Sequence, residues 1–236
     1  MNDIKVIAAG KPAEKGEKIL QRRYDLAKSL TRITQSGGRL LDVGCGNGAQ
    51  TILFASHFDQ VIGYDIQVTP MLESQLDIDW IAGAGENLPF KDNYFNAITC
   101  FEVLEHVSDP VETLKEFRRV LKPDGEIVIS VPNKWWIFET HGAYLPLLPW
   151  NRVPFFSWLP EKIHDRWAKA RIYSRAKLIR TLQAAGLSTY KLYYITAPMD
   201  RARPKLLQKL LQKTIFSSDL TSVPFLSVNH LAIIKK

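Results

Sequence analysis

Residues 40–51 of this chain read Leu-Leu-Asp-Val-Gly-Cys-Gly-Asn-Gly-Ala-Gln-Thr, and this stretch decides the fold. A short apolar run leads into Asp42, glycines follow at positions 44, 46 and 48, and a stretch compatible with a helix begins at Ala49. This order predicts a strand, a tight turn and a helix, because glycine permits a sharp turn and lets a ligand approach the backbone. The unpaired N–H groups at the start of such a helix suit a polar ligand.

A second acidic residue strengthens the prediction of a nucleotide-like ligand. Asp65 ends the next apolar run, residues 61–65, and an acid at the end of the second strand of such a unit can bind a ribose diol. The glycine spacing is G-x-G-x-G with Asp42 in front, whereas the dinucleotide-binding turn has the spacing G-x-G-x-x-G. The alternative interpretation is that Asp42 and Asp65 simply end their strands.

The pattern resembles the first motif of class I S-adenosylmethionine (SAM) dependent methyltransferases. The resemblance implies that Asp42 lies near the amino-acid end of SAM and that Asp65 binds the ribose. Residues 83–90, Gly-Ala-Gly-Glu-Asn-Leu-Pro-Phe, are similar to the family's Gly-Asp-Ala-Glu-x-Leu-Pro-Phe, whose aspartate receives the adenine amino group. Ala84 stands at the position of that aspartate, so a backbone carbonyl or Glu86 is expected to replace it.

The resemblance is strong from residue 39 to residue 133. Within it, residues 95–133 are similar to the small-molecule and lipid branch of the family, the methyltransferase type 11-like branch, which includes quinone-precursor methyltransferases. The fold that it implies is α/β and Rossmann-like, with a seven-stranded, mostly parallel sheet, helices on both faces and an antiparallel edge hairpin. The residues that it implies for SAM binding are Asp42, Gly44, Cys45, Gly46, Gly48, Asp65, Ile66, Gly85, Glu86 and Phe101.

Apolar periodicity predicts strands and helices that alternate along the chain. Strands are expected at 39–43, 60–65, 78–82, 95–101, 126–131, 187–197 and 225–235. Helices are expected at 13–35, 71–76, 111–121, 175–185 and 203–216. Such alternation predicts a parallel sheet covered on both faces, with the ligand at the carboxyl ends of the strands.

Composition and charge limit the possible classes of protein. The 236 residues predict one domain over 1–236, and two cysteines, Cys45 and Cys100, suggest neither a disulfide framework nor a metal site. With no signal peptide or membrane span in the sequence, a cytoplasmic location is expected. Residues 37–133 carry 6 basic and 15 acidic side chains, whereas residues 134–236 carry 17 and 5. The acidic part suits a cationic sulfonium, and the basic part suggests an anionic partner.

Two segments of the basic part suggest how an acceptor is handled. Residues 134–170 hold five of the six tryptophans and four prolines, which predicts a lid insertion over an apolar or ring-bearing acceptor. Packing of the insertion onto the body would explain the same aromatics. Residues 203–216 form a candidate amphipathic helix with lysines along one border of its apolar half. Such a helix can lie on an anionic membrane surface, or it can pack against the protein.

The chemistry of methyl transfer directs attention to the histidines. SAM carries its methyl group on a positively charged sulfur, so the enzyme must mainly align the acceptor, and an O- or N-acceptor also has to lose a proton. His106 follows the fourth predicted strand and is the first candidate for a general base or an acceptor-orienting group. His141 and His164, in the predicted lid, are the other candidates. Methylation of an activated carbon or a thiol would need little help from a base.

The principal prediction is a methyltransferase that acts on a small-molecule or lipid-like acceptor of quinone-precursor type. An RNA methyltransferase is an alternative because the last third is basic and aromatic. However, Cys100-Phe101-Glu102-Val103 stands where methyltransferases of nucleic-acid amino groups have Asn/Asp-Pro-Pro-Tyr/Phe, so a nucleic-acid partner is not expected. Ala84 suggests a non-catalytic SAM-fold interaction protein, and the glycine spacing disfavours an NAD-linked oxidoreductase. The sequence leaves the acceptor and the oligomeric state open.

Overall fold

In the part of the chain that the structure describes, eight strands form one mixed sheet with helices on both faces. The computed structural model describes residues 17–35, 37–68, 77–144, 154–199 and 204–236. The strands are β1 (Arg39–Val43), β2 (Gln60–Asp65), β3 (Ile78–Ala82), β4 (Phe95–Phe101), β5 (Leu121–Pro132), β6 (Thr189–Thr196), β7 (Leu220–Thr221) and β8 (Ser227–Lys235). The helices are α1 (Glu17–Leu30), α2 (Ala49–Ala55), α3 (Pro110–Val120), α4 (Glu161–Trp167), α5 (Arg175–Ala184) and α6 (Lys205–Lys213).

The strand order places the predicted ligand-binding residues at one edge of the sheet. The order is β3-β2-β1-β4-β5-β8-β6-β7, in which β1 to β5 pair in parallel and β8 runs antiparallel between β5 and β6. In the register, Asp42 of β1 lies opposite Gly63 of β2 and Thr99 of β4. The carboxyl ends of β1, β2 and β4 therefore meet at the edge where the glycine turn begins.

The sheet has eight strands where the sequence predicted seven. The additional strand, β7, has two residues that pair with Tyr194 and Ile195 of β6, and so short a segment shows no periodicity. Strand β5 is also longer than the predicted 126–131, since it begins directly after α3. Helix α1 covers Glu17–Leu30, and the residues that follow include a short 3₁₀ helix at Ile33–Gln35, instead of one helix over 13–35. The predicted helix at 71–76 lies outside the described residues.

Two apolar layers hold the helices against the sheet. On one face, Leu41 of β1 belongs to a buried cluster that includes Leu114 of α3 and Leu178 of α5. On the other face, Leu40 belongs to a cluster with Leu26 of α1 and Phe54 of α2. Because neighbouring strand residues point to opposite faces, Asp42 lies on the same face of β1 as Leu40. Its side chain therefore meets α2, the helix that follows the glycine turn.

Local sequence explains where the helices start. Asp109 caps α3, since its Oδ1 accepts hydrogen bonds from the backbone N–H groups of Val111 and Glu112, and Pro110 occupies the first helical position. Ser174 caps α5 in the same way through the N–H of Lys177. In the predicted lid, the described residues form a 3₁₀ helix at Phe156–Trp158 and helix α4. No helix within the described ranges has the length and apolar character needed to cross a bilayer.

Candidate active site

The three glycines of the turn are needed for different structural reasons. All three have positive φ angles, +79° at Gly44, +52° at Gly46 and +80° at Gly48, a region that glycine enters without the strain of a Cβ. A Cβ at Gly44 would overlap the side chain of Val103, and one at Gly48 would overlap the ring of Trp80. A Cβ at Gly46 would meet nothing within 4 Å. Gly44 and Gly48 are therefore required by packing as well, whereas Gly46 faces open space that a ligand can enter.

Asp42 is held inside the protein beneath this turn. Its carboxylate accepts a hydrogen bond of 2.5 Å from Thr51 Oγ1 of α2 and one of 2.7 Å from Thr99 Oγ1 of β4. Burial raises the pKa of Asp42 to about 6, although both threonine hydrogen bonds favour the ionised form. Asp42 thus fixes the helix after the turn against β4. Its predicted contact with the amino-acid end of SAM stays a prediction.

Asp65 lies beside the turn and remains partly exposed. One carboxylate oxygen accepts a 2.9 Å hydrogen bond from the N–H of Gly46, and the other accepts one of 2.9 Å from the N–H of Gln67. A carboxylate has about four lone-pair sites, so each oxygen can still accept a hydroxyl. The next residue, Ile66, is 67% exposed, which leaves an apolar side chain uncovered next to the acid. This pair suits a ribose and the flat base attached to it.

The other residues predicted to bind SAM mainly support the turn and its neighbours. Cys45 is buried against Gly63, and burial raises the pKa of its thiol well above the usual range. Gly85 is also buried. Phe101 is buried and stacks on the ring of Phe54, with 6.2 Å between the ring centroids. Their burial identifies these residues as part of the packing around the site.

Residues 83–90, the second stretch that resembles a methyltransferase motif, take part in local hydrogen bonds. Glu86 Oε1 accepts hydrogen bonds from the backbone N–H groups of Ser108, at 2.6 Å, and Asp109, at 3.2 Å, and so holds the loop after β4. The carbonyl of Ala84 accepts a 3.2 Å hydrogen bond from the Tyr64 hydroxyl. The same carbonyl accepts a 3.3 Å hydrogen bond from the N–H of Asn87, so both of its lone pairs are engaged. The expected replacement of the missing aspartate by a backbone carbonyl or Glu86 stays a prediction.

A cluster of one carboxylate and two imidazoles lies at the carboxyl end of β4, and we call Glu105, His106 and His141 the Glu105 cluster. Each residue offers one possible ligand atom, and these atoms lie within 4.8 Å of one another. His141 Nε2 is 3.3 Å from Glu105 Oε1, and the rings of His106 and His141 meet edge to face, with 5.0 Å between their centroids. The fold thus brings two of the three candidate histidines together.

His164, the third candidate, lies elsewhere. Its ring is buried, with Nε2 3.1 Å from Glu139 Oε2 and Nδ1 3.0 Å from Asp165 Oδ1. Glu139 also accepts a 3.0 Å hydrogen bond from the backbone N–H of His141. His164 is therefore separated from the Glu105 cluster by one carboxylate, and its contacts are those of a residue that holds the predicted lid together.

Burial gives the members of the Glu105 cluster different protonation states. Burial, assisted by the charge of Glu102, raises the pKa of Glu105 to about 7. Burial opposes the charged form of His141, but the Glu105 carboxylate beside it raises the pKa of this imidazole to about 9. Burial lowers the pKa of His106 to about 4. At neutral pH, His106 is therefore a neutral imidazole, His141 carries a charge, and the Glu105 carboxyl is near its own midpoint of titration.

Polar atoms of the Glu105 cluster are left without hydrogen bonds. His141 Nε2 approaches Glu105 Oε1 at an ion-pair distance of 3.3 Å. Among the described residues, no group meets hydrogen-bond geometry with either Glu105 oxygen or with His106 Nδ1. Buried polar atoms are rarely left in this state, so the cluster is suited to a polar ligand. A carboxylate with two imidazoles is also a ligand set that Zn²⁺ and Fe²⁺ use in proteins.

The surroundings of the Glu105 cluster include residues that were not predicted from the sequence. Arg171 donates its backbone N–H to the carbonyl of Glu105, at 3.1 Å, and its guanidinium to the carbonyls of Val107 and Ser108. Burial disfavours the ionised form of Glu102, but Arg23, 3.5 Å away, helps to lower its pKa below the usual range. The one sign of Glu105 in the sequence is that an acidic residue directly precedes His106 within an apolar loop. His141 lies 35 positions after His106, so only the fold brings His141 to Glu105 and His106.

Comparison with known proteins identifies the family. Residues 19–192 match the family described as methyltransferase domain, which is well over half of the chain. The chain belongs to this family. The predicted class, SAM-dependent methyltransferases, is thereby confirmed, and so is the Rossmann-like fold, apart from the strand count.

The methyltransferase is similar to two curated bacterial relatives. It is 34% identical over 146 residues to the ubiquinone biosynthesis O-methyltransferase of Alkalilimnicola ehrlichii, which covers 56% of this chain and 59% of that protein. It is 32% identical over 156 residues to the protein of the same name from Yersinia enterocolitica, covering 55% of this chain and 64% of that protein. In both cases, the similarity spans less than two thirds of the relative's length.

A solved structure shares the fold of the methyltransferase. The S-adenosylmethionine dependent methyltransferase from Mesorhizobium loti superposes with a TM-score of 0.62, covering 92% of this chain and 100% of that chain. The two sequences are 16% identical, so this likeness concerns the fold alone.

Proposed function

We propose that this chain transfers the methyl group of SAM to a small-molecule acceptor. The observation that carries the proposal is the arrangement at the carboxyl edge of the sheet. There, Gly46 faces open space, Asp65 can still accept hydrogen bonds next to it, and the Glu105 cluster lies where the chain leaves the neighbouring strand β4. Group transfer between two small ligands requires a donor site directly beside a site that orients the acceptor.

The donor site fits SAM in its shape and its charge. Asp65 would bind the ribose hydroxyls, Ile66 would contact the adenine, and the turn around Gly46 would lie against the rest of the ligand. Asp42 would act mainly by holding the turn in place through Thr51 and Thr99. When bound, SAM supplies a methyl group on a positively charged sulfur, and the acidic character of residues 37–133 suits that charge.

For the acceptor, we propose a lipid-like hydroxyl compound of quinone-precursor type. The names of the two curated relatives, which are O-methyltransferases of ubiquinone biosynthesis, support this chemical class. His106 would receive a hydrogen bond from the acceptor hydroxyl, because its imidazole is neutral at neutral pH. Residues 134–170 would form the cover of the acceptor. Such an acceptor suggests that the chain acts in the cytoplasm at the surface of a membrane.

As an alternative to the hydrogen bond between the acceptor and His106, we propose that the Glu105 cluster can hold a divalent cation, because a neutral imidazole has only one nitrogen that can accept a proton or bind a metal. The support is the short separation of its three ligand atoms and the missing hydrogen bonds of Glu105 and His106. Calorimetric titration with Zn²⁺ and with Mn²⁺ tests this proposal on the wild-type chain and on Glu105→Gln. Binding that the substitution abolishes would support it, whereas equal heats for both chains would contradict it.

The central experiment measures donor binding and methyl transfer separately. We expect S-adenosylhomocysteine to bind in calorimetry and NAD not to bind. We then expect label from methyl-labelled SAM to move to dihydroxybenzene compounds that carry an apolar side chain. Label on RNA instead would favour the RNA methyltransferase. Failure to bind either SAM or S-adenosylhomocysteine would favour a non-catalytic interaction protein.

A further inference from the structure

Helix α6 lies on the protein with much of its apolar face outward. None of its residues is buried, and Leu206 and Leu210 are 81% and 58% exposed. The helix rests on its other side, where Leu211 is half-buried and Gln212 donates a 2.9 Å hydrogen bond to the carbonyl of Pro198. Leu207 is also exposed. Exposure of several neighbouring leucines on one helix is typical of a surface that contacts another protein or a membrane.

The charges of α6 indicate what it contacts. Lys205, Lys209 and Lys213 follow one another along the helix, and at about 100° per residue they occupy an arc directly beside Leu206 and Leu210. The nine residues of the helix include no acidic side chain. Residues 134–236 as a whole carry 17 basic and 5 acidic side chains. A leucine row bordered by lysines is complementary to a bilayer that has anionic headgroups.

A second exposed apolar surface comes from two other segments. We call Trp135, Phe155, Trp158 and Phe225 the aromatic patch, and each of these side chains is more than a third exposed. The ring of Phe225 lies 5.6 Å from those of Trp135 and Trp158, between centroids, and Phe155 lies 5.0 Å from Trp158. Tryptophan and phenylalanine in such positions suit the boundary between headgroups and acyl chains.

Both surfaces are attached to the same edge of the sheet. The segment after β6 binds α6 through Pro198, and its Ala197 donates a 3.0 Å backbone hydrogen bond to Leu226, next to Phe225. Strands β5 and β6 both run antiparallel to β8 and therefore run in the same direction. The end of β6 thus lies at the edge where β1 and β4 also end, which is the edge of the glycine turn and the Glu105 cluster.

We infer that α6 and the aromatic patch together dock this chain on an anionic bilayer, with the donor and acceptor edge toward the lipid. The leucines and aromatic rings enter the interface, and the three lysines of α6 bind lipid phosphates. The inferred role of this docking rests on the proposed function: an acceptor with an apolar tail would reach the Glu105 cluster from the lipid side.

The test is sedimentation of the full chain with vesicles. We expect it to pellet with vesicles of phosphatidylcholine and phosphatidylglycerol at low salt, and to stay in the supernatant with phosphatidylcholine alone. Leu206→Ser/Leu210→Ser should lower the partition coefficient at least about tenfold, since two apolar side chains no longer enter the interface. Leu206→Ile/Leu210→Ile should keep wild-type binding. Phe225→Ser should also weaken binding, because the aromatic patch is part of the surface.

The charge of α6 is tested with a matched pair of variants. Lys205→Gln/Lys209→Gln should weaken binding to the anionic vesicles about tenfold or more. Lys91→Gln/Lys191→Gln removes the same charge outside α6 and should bind like the wild type. Equal binding to both vesicle types, or equal binding by both lysine variants, would overturn the inference.

Two further measurements separate the possible failures. A dimer in light scattering that Leu206→Ser/Leu210→Ser converts to a monomer would assign the leucine face to a second copy of the chain and overturn the inference. Calorimetry with S-adenosylhomocysteine is run on every variant. Retained binding together with absent vesicle binding would refute the docking alone. Vesicle binding without S-adenosylhomocysteine binding would refute the proposed function alone.

Discussion

The proposed donor side and the proposed acceptor side of this methyltransferase hold their acidic groups in opposite ways. Around the glycine turn, Asp42 is bonded to two threonines and Asp65 to two backbone N–H groups. In the Glu105 cluster, both oxygens of the buried carboxylate lack a hydrogen bond. The first arrangement is complete before any ligand arrives, whereas the second has polar atoms available for one.

The difference shows two ways of building a binding site. The donor side depends on residues 42–66, which are close in sequence, and its acids fix the backbone into the shape that receives the ligand. The acceptor side joins a loop after β4 to His141, which lies in another segment. Burial there makes Glu105 and His106 harder to ionise, and a bound group would supply the missing partners. Four predictions can break or sharpen this comparison.

The largest effect is expected at His106. His106→Ala should lower turnover at saturating SAM by about 100-fold or more, because a positioned acid–base group typically contributes that much. The affinity for S-adenosylhomocysteine should stay unchanged, since the imidazole belongs to the acceptor side. Steady-state kinetics measures the turnover with a dihydroxybenzene compound that accepts the labelled methyl group. His57→Gln, at a histidine whose Nε2 pairs with the Tyr24 hydroxyl, is the control. Wild-type turnover in His106→Ala would exclude His106 from the reaction.

A pair of glycine substitutions separates packing from ligand binding on the donor side. Gly44→Ala should lower the free energy of unfolding by about 2–5 kcal/mol, because it adds left-handed strain and overlaps Val103. Gly46→Ala should cost only about 1–2 kcal/mol from strain, since its Cβ meets open space. Urea denaturation measures both. If the two variants lose equal stability, the distinction between packing glycines and a ligand-facing glycine is wrong.

Asp65 should show the largest loss of donor affinity on its side of the molecule. Asp65→Ala removes the acceptor for the ribose and also the hydrogen bond to the N–H of Gly46, so we expect S-adenosylhomocysteine affinity to fall about 100-fold. Asp65→Asn retains one acceptor oxygen and should lose less. Calorimetry measures both affinities. An unchanged affinity in Asp65→Ala would remove this residue from the donor site.

The donor side was largely predictable from the sequence because its signals are local. The strand bounds at 39–43, 60–65, 78–82 and 95–101 agree with the structure, since buried parallel strands produce short apolar runs between turn residues. The sequence could not show that Gly44 and Gly48 make room for Val103 and Trp80, because these side chains come from the loop after β4 and from β3. Nor could it show that Glu86 is engaged by the loop after β4.

The acceptor side was less predictable because its contacts are long-range. Three histidines were candidates, and only the fold separates His106 and His141 from His164. A Glu–His pair in sequence does not indicate burial, so the missing hydrogen bonds of Glu105 could not be foreseen. The aromatic residues of the predicted lid were expected to cover an acceptor or to pack. Several of them, including Trp135 and Phe155, are more than a third exposed, and their role as a cover stays a prediction.

The smallest effect concerns His164, whose charge should stabilise the lid in a pH-dependent way. Burial opposes its charged form, but Asp165 and Glu139 raise its pKa above the usual value. Because the pKa is higher in the folded state, this stabilisation is fully present below about pH 6.5 and is lost as the pH rises through the folded-state value. The destabilisation by His164→Gln in urea denaturation should therefore be larger near about pH 6 than near about pH 9.

His230→Gln is the control. Burial lowers the pKa of His230 to about 4, so its contribution falls only when the pH decreases below about 6.5. An equal cost of His164→Gln at both pH values would mean that the buried imidazole is neutral and that Glu139 and Asp165 hold it without a charge.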